Sequence, residues 1–159
     1  MTSEETPAEQ VPEATEPVAA AEGVSPVRFV RVVMALPSNH PILVLQETDS
    51  PYRELRIPIG LPEGTAIAFA EQGVVAPRPL THDLFSQMIT RLGCRIEVVR
   101  ITGVRASTYL AELELSTPSG RVVIESRPSD ALALALRERP HPPITVSKAV
   151  LQSMGITSK

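Results

Sequence analysis

The sequence predicts an α+β fold: one compact domain over residues 27–159, behind an N-terminal tail. Three observations carry this. Strand-like and helix-like segments follow in the order strand, strand, strand, helix, helix, and that order occurs twice. In each half a strand runs into a helix opened by proline, "LPEGTAIAFAEQGV" (61–74) and "SRPSDALALALRERP" (126–140). Hydrophobic residues make up 43% of the 159 residues and aromatics only 3%, enough for a core that must be aliphatic.

The elements follow in turn. "VRFVRVVMA" (27–35), "PILVLQE" (41–47) and "ELRIPIG" (54–60) combine β-branched or aliphatic residues with alternation, which predicts strands. "LPSNHP" and "TDSPY" are turns between them. A helix is expected over about 62–72: Pro62 suits the first turn, Glu63 complements the dipole, and Gly73 stops it. "VVAPRP" crosses to a second helix, 82–92, where Leu84, Phe85, Met88, Ile89 and Leu92 share one face.

The second half repeats the pattern. "CRIEVVRIT" (94–102), "TYLAELELS" (108–116) and "RVVIE" (121–125) read as strands, and 128–138 as a helix. "PPITVS" crosses to a short final helix, about 147–154. A shift of 65 lays residues 66–70 over 131–135, so a tandem duplication of a β-β-β-α-α unit is expected. Both Ala-rich helices are apolar on nearly every side, which predicts central, buried positions.

Residues 1–26 carry Glu4, Glu5, Glu9, Glu13, Glu16 and Glu22, neither Lys nor Arg, and few large apolar side chains. Such a segment buries too little to offset its ordering entropy, so a disordered acidic tail rich in Pro and Ala is expected. All 15 basic residues lie downstream, and only Lys148 and Lys159 are not Arg. That balance permits nucleic-acid binding without demanding it. The lone Cys94 forms no internal disulfide and reads as a small residue near the core. Neither a membrane-spanning run nor a secretory signal is recognisable, so a cytoplasmic protein without membrane contact is expected.

Two polar clusters stand where loops enter helices: Arg78, Thr81, His82 and Asp83, then Glu125, Arg127, Ser129 and Asp130. Free N–H groups at a helix start beside an Arg suit a phosphate, and His with Asp suits proton transfer or metal-assisted hydrolysis. A purely structural reading stands beside this one. Thr81 and Ser129 would cap helices, Asp83 and Asp130 would complement dipoles, and the arginines would pair with those acids. The sequence contains no glycine-rich phosphate loop, dinucleotide fingerprint, zinc spacing or hydrolase nucleophile elbow.

"ALPSNHPILVLQE", "IPIGLPEGTAIAFAEQGVVAPRPLTHDL" and "IESRPSDALALALR" resemble segments of the bifunctional nuclease domain family. The resemblance covers about 27–155. It implies a compact α+β domain, homodimers, and bacterial or plant relatives named for activity on both RNA and DNA. By position, Glu63, Arg78, Thr81, His82 and Asp83 match one part of the family pattern, and Arg127, Ser129 and Asp130 the other. Two departures are the helix entry Leu61-Pro62-Glu63-Gly64, where the family has a Pro-Ala-Glu-Ala type, and Glu125, where Asp is common.

The expectation is therefore an enzyme that hydrolyses phosphodiester bonds of RNA or DNA. His82, Asp83, Asp130 and Glu63 are the catalytic candidates, and Arg78, Thr81, Arg127 and Ser129 the substrate-binding ones. Asp83 and Asp130 are candidates to hold magnesium or manganese. The alternative is a non-catalytic module that binds nucleic acid, protein or a small phosphorylated ligand.

Overall fold

The computed structural model describes residues 23–157. A seven-stranded sheet is built from β1 (Val24–Met34), β2 (Pro41–Glu47), β3 (Glu54–Pro58), β4 (Arg95–Arg105), β5 (Thr108–Thr117), β6 (Gly120–Ser126) and β7 (Ile144–Ser147). Their order across the sheet is β3-β2-β1-β7-β4-β5-β6. Four helices complete the α+β domain: α1 (Leu61–Gln72), α2 (Thr81–Arg91), α3 (Pro128–Ala135) and α4 (Lys148–Met154).

Two antiparallel meanders, β1–β3 and β4–β6, flank β7. The segment 144–147, expected to be a crossover, is instead the strand that joins them. It pairs antiparallel with β1 and parallel with β4. The halves share a meander followed by a helix and then diverge, because β7 separates α3 from α4 while an irregular connection separates α1 from α2. The strict β-β-β-α-α repeat is therefore not kept. β1 begins at Val24, so the strand takes in residues 24–26 of the expected tail; residues 1–22 of that tail lie outside the described residues.

The core is aliphatic. Leu43, Leu45, Leu55, Ile67, Ile101, Leu132 and Leu151 are among its fully buried side chains, and Cys94 packs against it half-buried. α3 is buried through Leu136 except at Asp130, as its alternation of Ala and Leu requires. α1 is buried on one side only, through Gly64, Ala66, Ile67 and Ala70. Gly64 lets this helix lie close on the sheet: a Cβ there would stand 2.8 Å from Pro41 Cγ. α1 lies over β1 and β2, α3 lies over β4 and β5, and α2 packs on α3.

α2 turns its apolar face outward. Of its apolar face only Ile89 is buried, while Leu84, Phe85, Met88 and the following Leu92 are exposed.

Candidate functional site

The starts of α1, α2 and α3 surround a cavity of about 560 Å³. Each helix begins after an extended residue, Gly60, Leu80 or Arg127, so the chain turns there and aims its first side chains at the same space. α1 supplies Pro62, Glu63 and Thr65, α2 supplies Thr81, His82 and Phe85, and α3 supplies Asp130 and Leu134. Ile124, Glu125 and Ser126 at the end of β6 complete the wall with Arg127. Residues of the two sequence clusters thus converge.

One hydrogen-bonded chain crosses the cavity. Arg127 Nη2 donates to Glu63 Oε1 at 3.2 Å and to Asp130 Oδ1 at 3.1 Å, and Arg127 Nε donates to Asp130 Oδ2 at 2.7 Å. His82 Nε2 lies 3.0 Å from Asp130 Oδ1. Burial alone would raise the Asp130 carboxyl. Hydrogen bonds from Arg127 and His82, with their charges, outweigh burial and hold it below the ordinary value. An ionised carboxylate only accepts, so Nε2 carries the shared hydrogen. In neutral His82 the unprotonated nitrogen is then Nδ1. The Arg127 guanidinium is pushed up by its bond to Asp130. Ser126 Oγ is buried in the same wall without a hydrogen-bond partner among the described residues.

Other expected site residues lie elsewhere. Asp83 follows His82 by one residue, roughly 100° around the helix. Its carboxylate accepts from Arg137 Nε at 2.7 Å and from Leu80 N–H at 2.9 Å, and it borders a different hollow. Burial would raise Asp83, but those two bonds and the arginine charge leave it lowered. Ser129 caps nothing: it is 5% exposed and borders a hollow of about 470 Å³ beyond Arg127, near His40 and Tyr109. Arg78 is exposed in the connection before α2 and joins no side-chain hydrogen bond among the described residues. Thr81 reaches the cavity but is the first helical residue, not the cap.

The residues do not fit a protein-held magnesium or manganese ion. Asp83 and Asp130 face different hollows, and both Asp130 oxygens are already engaged. Among the described residues no group of three His, Cys, Asp or Glu side chains is placed to hold a metal.

Sequence reading missed Arg137, which is 9% exposed and also donates to the carbonyls of Ala66 and Ala133. It closes α1, α2 and α3 behind the cavity. Nothing in the local pattern marks it, because its three partners come from three helices. Among the described residues no helix is long and apolar enough to cross a membrane.

Comparison with known proteins supplies the context. The family model of the bifunctional nuclease domain matches residues 43–159. An uncharacterized protein of Mycobacterium tuberculosis is 41% identical over 130 residues, covering 82% of this chain and 76% of the relative. Bifunctional nuclease 1 of Arabidopsis thaliana is 31% identical over 122 residues, which is 74% of this chain and 36% of that protein. Bifunctional nuclease 2 of Oryza sativa is 30% identical over 123 residues, 74% of this chain and 37% of its own length. On the extent of the family match and on these identities, the chain belongs to the bifunctional nuclease domain family.

Proposed function

We propose that the cavity between the three helix starts hydrolyses phosphodiester bonds in RNA or DNA, with the His82–Asp130 pair moving the proton. The observation that carries this reading is the 3.0 Å bond from His82 Nε2 to Asp130, which leaves Nδ1 as the proton acceptor. Nδ1 takes a proton from water as the water oxygen bonds to phosphorus. The phosphorus–oxygen bond to the leaving group breaks, and the imidazolium returns the proton to the departing oxygen. Asp130 fixes the tautomer and stabilises the imidazolium, as a carboxylate does in other histidine-based sites. The N–H groups that open α2 and α3 favour an anion, and Ser126 Oγ, in the cavity wall, has a hydrogen bond that none of the described residues uses.

A second reading is favoured by a different observation. Among the described residues Arg127 is the only Arg or Lys lining the cavity, and Glu63 and Asp130 already engage it. Charge satisfied inside the protein suits a non-catalytic module with an uncharged or weakly charged ligand.

The test is hydrolysis of fluorogenic single-stranded RNA and DNA by the purified chain in the presence of chelator. Cleavage by wild type, lowered at least tenfold in Asp130→Asn with the fold intact, supports the proposal. Cleavage that vanishes with chelator overturns the role given to His82. Folded wild type with no activity above a mock purification leaves the binding-module reading.

A further inference from the structure

β6 is the last strand of the sheet, and among the described residues its outer edge pairs with nothing. A seven-residue open edge is a template for another strand. The sequence of β6, "GRVVIES", says which strand fits. Turned antiparallel on itself about Val123, it overlaps a second copy along its whole length. That register sets Arg121 opposite Glu125 twice and Val122 opposite Ile124 twice. A slide of two residues in one direction sets Arg121 opposite Val123, and in the other opposite Arg127. Directly opposed unlike charges stabilise a strand pair and like charges oppose it, so the edge is complementary to itself in one register.

The sides of the strand agree. Val122 and Ile124 pair with Leu115 and Leu113, which are buried beneath the helical layer. Val122 and Ile124 therefore point to the helix side, yet they are 40% and 49% exposed. On that side α2 presents Leu84, Phe85, Met88 and Leu92, between 50% and 67% exposed. Phe85 and Ile124 border the same cavity. A two-fold axis through Val123, perpendicular to the sheet, keeps both helical layers on one side. The apolar faces of the two copies then meet above the joined strands.

We infer that β6 and the outer face of α2 form the interface of a two-fold dimer of this chain, with the two β6 strands paired antiparallel about Val123. The partner's Arg121, which also donates to its own Glu114 at 2.8 Å, then sits opposite Glu125 on the face away from the helices. This inference does not depend on what the cavity binds.

Sedimentation equilibrium on the full chain at tens of micromolar tests it. The expected mass is twice 17.2 kDa. Glu125 is exposed, so Glu125→Arg keeps the fold, checked by circular dichroism, and raises the dimer dissociation constant at least tenfold. Opposed strand residues stand about 4.5–5.5 Å apart at Cα, within disulfide reach. In a Cys94→Ser background, Val123→Cys is therefore expected to cross-link to its own copy under mild oxidation far faster than Thr102→Cys. A monomeric wild type, a Glu125→Arg dimer of unchanged affinity, or cross-linking at Val123→Cys no faster than at Thr102→Cys would overturn the inference.

Discussion

Arg137 Nε donates to Asp83 Oδ1 across 2.7 Å, and the pair ties the chain just beyond α3 to the first turn of α2. The same guanidinium holds carbonyls of α1 and α3. This bond holds Asp83 toward Arg137 and a different hollow from the one His82 borders.

Removing the guanidinium takes its donors from two carbonyls and from Asp83, which keeps the bond from Leu80 N–H. Breaking a largely buried pair in this way costs roughly 3 kcal/mol. Arg137→Met is expected to lower the unfolding free energy by about that much in urea titrations. A change below about 0.5 kcal/mol would remove Arg137 from this role.

Acid is expected to weaken the fold. Burial would raise Asp83 and Asp130, but their hydrogen bonds prevail and both are lowered; Glu47 is lowered chiefly by its bond from Arg53. A carboxyl lowered in the folded state stabilises fully above the unfolded value, about 4. That contribution is lost as pH falls through the lower folded value. Glu97 is lowered too, by bonds from Ser116 and Arg95, and Glu138, raised by burial, acts in the opposite sense, four groups against one. The melting temperature is expected to fall steadily below about pH 4, and less steeply in Asp130→Asn. A rise on acidification would contradict the assignment.

α3 tests the core. Leu132 has no exposed surface, and Ala131 and Ala133 beside it are equally buried. Leu132→Asp places an unpaired charge there, and a cooperative thermal transition is expected to disappear. A retained transition near the wild-type temperature would show that α3 tolerates water.

Much of this was legible in the sequence. Proline before Ala-rich runs located α1 and α3, and of the polar clusters at the starts of α2 and α3, Thr81 and His82 do meet Glu125, Arg127 and Asp130. Direction was not legible. His82 and Asp83 are adjacent, yet one faces the cavity and the other faces Arg137, because a single helical step separates them. The apolar face of α2 was visible, but periodicity states only that Leu84, Phe85, Met88 and Leu92 share a side. It does not state that the rest of the domain leaves that side uncovered. β7 escaped because its four residues follow consecutive prolines and pair only with β1 and β4, both distant in sequence.

The central claim is that His82 moves the proton, and imidazole rescue of His82→Ala tests it most directly. General-base removal costs on the order of hundredfold or more in rate. His82→Ala, folded and assayed on single-stranded RNA or DNA with chelator present, is expected to lose activity by about that factor. It is expected to regain part of it in proportion to added imidazole, with no such gain in wild type. Wild-type rates in His82→Ala, or a loss that imidazole leaves unchanged, would contradict the account.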